Sequence, residues 1–124
     1  MRLSGAMIYV KDLPRMAAFY EMSLGFKPIN ETRMDTWVEF DTGGSSLALH
    51  AIPGPIASQI EMSSPPQPRA SNPVKLIFEV EDLEREVGRL TTLGLSILER
   101  PWGTFDGIDP EGNIFQITSS SSGR

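Results

Sequence analysis

The chain has 124 residues, 40% of them apolar and 22% charged, with 11 Lys and Arg against 16 Asp and Glu for a formal net charge of −5. That length fits one domain with its own core, and the absence of any Lys/Arg cluster argues against nucleic acid as a partner. With no cysteine, disulfides and thiolate metal sites are excluded, and a reducing cytoplasm is the simplest setting.

The first predicted element is a strand over residues 5–10. This apolar run is too short for a secretory signal or a membrane span and leads directly into Lys11 and Asp12, so no membrane partner is expected. Asp12 is placed to cap a helix whose first turn tolerates Pro14. Leu13, Met16, Ala17, Tyr20 and Leu24 share one face at helical spacing, and Gly25 ends the helix in the left-handed conformation. A second strand is predicted over 27–32, and 36–41 with 46–52 form a hairpin around Thr42-Gly43-Gly44.

Residues 53–73 carry prolines at 53, 55, 65, 66, 68 and 73, a composition that favours an extended linker, with one short helical turn within 56–62. The second half then repeats the first. Val74–Val80 is a strand, and Asp82 caps a helix with Leu83, Val87 and Leu90 on its buried side. Strands follow at 95–100, 103–108 and 113–118, the last two joined by Asp109-Pro110-Glu111-Gly112. Ser119–Arg124 reads as a polar, flexible tail.

The duplication is explicit in the residues. Val10-Lys11-Asp12-Leu13 recurs as Val80-Glu81-Asp82-Leu83, Leu24-Gly25-Phe26 as Leu93-Gly94-Leu95, and Asp41-Thr42-Gly43-Gly44 as Asp109-Pro110-Glu111-Gly112. The predicted fold is therefore α+β: two βαβββ modules, about 3–52 and 74–118, forming a curved mixed sheet with helices outside. Its concave side would make a pocket.

This plan, with Val-x-Asp-Leu, Phe19-Tyr20, Leu24-Gly25-Phe26 and Asp-Pro-Glu-Gly-Asn in order over residues 3–118, resembles the vicinal oxygen chelate superfamily, which includes glyoxalase I, extradiol dioxygenases and bleomycin-resistance proteins. The resemblance implies a homodimer that binds a small molecule in the sheet's concavity. Enzymes of this type hold a divalent metal with His and Glu side chains. At the positions that match those ligands this sequence has Gly5, Ala48, Lys75 and Gln116. None is a strong ligand, and a lysine ammonium repels a cation. No cofactor is therefore predicted.

Strand alternation puts Leu47, Leu49, Leu76, Phe78, Val80, Phe115 and Ile117 beneath the helices. The opposite face exposes Met7, Tyr9, Trp37, Glu39, Ala48, His50, Lys75, Ile77, Glu79, Ile114 and Gln116. His50 is the sole histidine. It is either a general base or ligand partner, or a structural histidine bonded to backbone. Lys75 is expected to pair with Glu39 or Glu79, or to neutralise an anionic ligand. Glu39, His50 and Glu79 are the one set from which a displaced metal site could be built. Trp37 and Trp102 could stack on a flat or cationic ligand, or pack in a core or dimer contact. Arg100 either meets an anion or pairs with Glu99 or a neighbouring acid on the surface. The leading expectation is a metal-independent small-molecule binder. The rivals are a lyase, isomerase or dioxygenase using a displaced metal or His50, and an interaction module without chemistry.

Overall fold

A computed structural model describes residues 1–120. Within it the chain divides into two compact units, one over Met1–Met62 and one beginning at Ser63. Each carries a four-stranded mixed sheet of its own.

In the first unit β1 (Gly5–Val10) is followed by α1 (Leu13–Ala18), which continues as a π-helical turn over Phe19–Ser23. The Asp12 carboxylate accepts the Arg15 amide at 3.1 Å, satisfying one orphan donor of the first turn, a cap that contributes about 1 kcal/mol. Gly25 has φ +81°, and the Phe26 amide returns to the Tyr20 carbonyl at 3.0 Å, closing the helix end. The sequence pattern did not signal the π turn, in which the Leu24 amide reaches back five residues to Phe19.

β2 is only Lys27–Pro28, because residues 30–32 turn into a 3₁₀ helix rather than continuing the predicted strand. β3 (Trp37–Asp41) and β4 (Ser46–Ala51) form the expected hairpin, and the sheet order is β1-β4-β3-β2 with β1 and β4 parallel. Leu13, Met16, Ala17 and Tyr20 of the helical segment bury against Val10, Val38, Phe40, Leu47 and Leu49. The Tyr20 ring lies 6.3 Å from that of Phe40. A short helix, α2 (Gly54–Ala57), follows.

The second unit repeats this order. β5 (Leu76–Val80), α3 (Leu83–Thr92), β6 (Ile97–Glu99), β7 (Phe105–Ile108) and β8 (Ile114–Ser119) form a sheet of order β5-β8-β7-β6. Asp82 caps α3 by accepting the Arg85 amide at 3.1 Å, and Gly94 ends the helix with φ +92°. Leu90 of α3 is buried, as are Phe115 and Ile117 of β8. The Phe115 ring covers Gly107, where a Cβ would stand 2.5 Å from its tip, so glycine is what lets this ring lie on the sheet. Ser119 belongs to β8 and not to the predicted tail; residues 121–124 of that tail lie outside the described residues.

The β7–β8 turn is organised by a buried aspartate. Asp109 Oδ1 accepts the amides of Glu111 and Asn113 at 2.9 and 3.0 Å, and Oδ2 accepts Asn113 Nδ2 at 2.8 Å. The proline-rich segment is fastened to this turn. The Arg69 amide bonds to the Gly112 carbonyl at 2.9 Å. Its side chain bonds to the Glu111 carbonyl and to Asn113 Oδ1, each at 3.0 Å.

Candidate functional site

Strand register fixes which side chains stand together on each helix-free sheet face. In the first unit Tyr9 pairs with His50, and His50 with Trp37. The three rings form a row across β1, β4 and β3, with centroids 5.4 Å apart for Tyr9–His50 and 5.9 Å for Trp37–His50. His50 Nδ1 lies 2.9 Å from the Ala51 carbonyl. A carbonyl only accepts, so Nδ1 carries a proton there, and whenever the ring is neutral Nε2 is the acceptor. The next row is Met7, Ala48 and Glu39. Ala48 is buried rather than exposed as predicted, and Glu39 accepts from Thr32 Oγ1 at 3.2 Å.

In the second unit the corresponding rows are Glu79–Thr118 and Ile77–Gln116–Asp106. Asp106, which sequence reasoning missed, is the centre of this face. It is 5% exposed and receives both Lys75, at 3.0 Å, and Arg100, at 2.8 Å. Lys75 therefore pairs with Asp106, not with Glu39 or Glu79, and Arg100 pairs with the same carboxylate rather than Glu99. The cause is burial: a carboxylate withdrawn from water requires charge-assisted partners, and a surface acid does not. The internal duplication held the signal, since Asp106 opposes Gln116 as Glu39 opposes Ala48. Trp102 is exposed, which overturns the core reading, and the Arg100 guanidinium lies 6.0 Å from its ring centroid. The Thr104 and Thr118 hydroxyls are buried without a hydrogen-bond partner among the described residues.

A pocket of about 530 Å³ opens beside this cluster, lined by Ile97, Ile108 and Ile114, by Arg100 and Asp106, and by the segment 65–68. Its walls are mainly apolar with one charged pair, the character of a small-molecule site.

The positions that match the superfamily's metal ligands do not suit a divalent cation. A Cβ at Gly5 would stand 2.6 Å from the Ser46 carbonyl oxygen, leaving no room for a ligating side chain. Ala48 offers no donor atom. Lys75 already places a positive charge on Asp106, and Gln116 is a neutral donor beside it. Among the described residues no three His, Cys, Asp or Glu side chains converge as a metal site. No described helix is long and apolar enough to cross a membrane.

The family model for the glyoxalase/bleomycin resistance protein/dioxygenase superfamily matches residues 2–117. Among solved structures, an integron cassette protein from the V. cholerae mobile metagenome is similar over 98% of this chain and 96% of its own, at 23% identity and TM-score 0.70. A glyoxalase/bleomycin resistance protein/dioxygenase family enzyme from Burkholderia phytofirmans aligns over 96% and 98%, with 24% identity and TM-score 0.70. A lactoylglutathione lyase from Agrobacterium tumefaciens aligns over 96% and 93%, with 21% identity and TM-score 0.66. At these identities the structural likeness concerns the fold, and no curated protein sequence matches. The duplicated modules and the family match over nearly the whole sequence agree: the chain belongs to the glyoxalase/bleomycin resistance protein/dioxygenase superfamily.

Proposed function

We propose that this chain binds a small organic molecule on its helix-free sheet faces without a divalent metal, as a cytoplasmic homodimer. The observation that carries the reading is Lys75. Its ammonium lies 3.0 Å from buried Asp106, at a position where the superfamily's metalloenzymes supply a ligand. An ammonium there supplies the positive charge internally and opposes a second cation. The pocket beside it supplies the volume. Isothermal titration with Mn²⁺, Ni²⁺, Zn²⁺ and Fe²⁺ tests this directly. Heats indistinguishable from dilution are expected, and stoichiometric binding of any of the four refutes the proposal. Light scattering checks the dimer, for which a mass near twice 13.7 kDa is expected.

One observation favours a second reading, catalysis by His50. Its Nδ1 contact with Ala51 orients the ring and leaves Nε2 as the acceptor a general base requires. Tyr9 and Trp37 flank it and could hold a planar substrate. A lyase or isomerase of this kind loses turnover in His50→Ala while the fold persists by circular dichroism. An unchanged rate in a folded variant removes His50 as the base.

A further inference from the structure

We infer that the second unit's pocket selects a small apolar monoanion, a carboxylate carried on a hydrocarbon or aromatic body. The inference rests on the metal-free binding proposed above and specifies its ligand.

The charge balance points to an anion. Arg100 and Asp106 are the charged residues lining the pocket, and Lys75 stands behind Asp106. Two cations and one carboxylate, +2 − 1, leave one positive charge. Asp106 is engaged on both oxygens, with Lys75 at 3.2 Å from Oδ1 and 3.0 Å from Oδ2, and Arg100 Nε at 2.8 Å from Oδ2. A ligand cation would meet a carboxylate already facing two positive charges, with only part of Oδ1 left to accept. Arg100 spends only its Nε on Asp106, so its terminal nitrogens keep donors in the geometry that suits a carboxylate. Its side chain is 34% exposed and so can be reached from solvent. Asp106 and the Trp102 ring hold the guanidinium in place, which lowers the entropy lost when a ligand docks.

The rest of the lining favours an apolar body. Leu98, Ile108 and Ile114 share the Asp106 face and offer branched hydrocarbon, and Pro65, Pro66 and Pro68 present rigid rings from a segment fastened at Arg69. The volume, about 530 Å³, lies within the range typical of small-molecule sites.

The test uses hexanoate, hexanamide and hexylammonium, matched in shape and different in charge, in EDTA-treated buffer. Calorimetry gives affinity, and amide NMR shifts locate the site. Hexanoate is expected to bind one-to-one at residues 97, 108 and 114, at least roughly tenfold tighter than hexanamide, the scale of one charge-assisted hydrogen bond. Hexylammonium should not saturate. Arg100→Gln should bring the hexanoate-to-hexanamide ratio to within about twofold of unity. Leu98 is exposed at the pocket and across the ladder from Asp106, so Leu98→Lys preserves the fold and should raise that ratio. Equal binding of acid and amide, a ratio unmoved by both variants, or no saturation by hexanoate overturns the inference. Shifts confined to Tyr9, Trp37 and His50 also overturn it but leave metal-free binding standing. A hexanoate complex that forms only with added Mn²⁺ instead sinks the metal-free reading.

Discussion

Gly112 links the β7–β8 turn to the proline segment, and replacing it with alanine has a cost that can be worked out in parts. Its φ of +82° lies in the left-handed region, where a side chain costs about 1–2 kcal/mol. The added Cβ would also stand 2.2 Å from the Gln67 carbonyl oxygen and 3.3 Å from Arg69 Cγ. The first contact is with backbone, so residues 67–69 must retreat by about an ångström to reach ordinary contact distance. That retreat removes the Arg69 amide bond to Gly112 and strains the two side-chain bonds to Glu111 and Asn113. At about 0.5–1.5 kcal/mol for each bond, with water recovering part, the loss is about 2 kcal/mol. Gly112→Ala should therefore destabilise the protein by roughly 3–4 kcal/mol. Gly94→Ala is the control: its φ is +92° but nothing lies within 4 Å of the added carbon, so it should cost about 1–2 kcal/mol. Urea denaturation followed by tryptophan fluorescence measures both, with Trp37 reporting from the first unit and Trp102 from the second. Costs for the two variants within about 0.5 kcal/mol of one another would refute the claim that segment 67–69 is pinned on this turn.

Asp106→Asn keeps the shape but leaves two cations facing a neutral amide. Lys75 and Arg100 are about one-third exposed, so water relieves part of the penalty, and a loss of about 1–3 kcal/mol is expected from urea unfolding. A loss below about 0.5 kcal/mol would mean the cluster is already solvated. The paired caps Asp12 and Asp82 make equivalent 3.1 Å bonds; Asp12→Ala and Asp82→Ala should each cost about 1 kcal/mol by the same assay. A neutral result at either position would show that its helix is held by packing alone.

Much of the fold was legible because it is written twice. The Asp12 and Asp82 caps, the Gly25 and Gly94 stops and the inward parity of Leu47, Leu49, Phe115 and Ile117 are local rules, and the structure follows them. The short β2 was missed: the chain leaves the ladder after Pro28 for a 3₁₀ turn at 30–32, closed by local amide bonds from Thr32 to Ile29 and from Arg33 to Asn30. The proline segment reads as a tether in sequence, since its Arg69 contacts lie 42 and 44 residues away. At the site, Tyr9, Trp37 and His50 were found by alternation and do stand together. Asp106 was not found because its importance depends on which strand lies beside Gln116, and that is a matter of register rather than composition.

The crowding at Gly5 bears on the reuse of this chain. A histidine does not fit at that position without a shifted strand, because the β4 backbone at Ser46 closes the space its first carbon needs. A designer who wants a new side chain on this edge must first open the Gly5–Ser46 pairing.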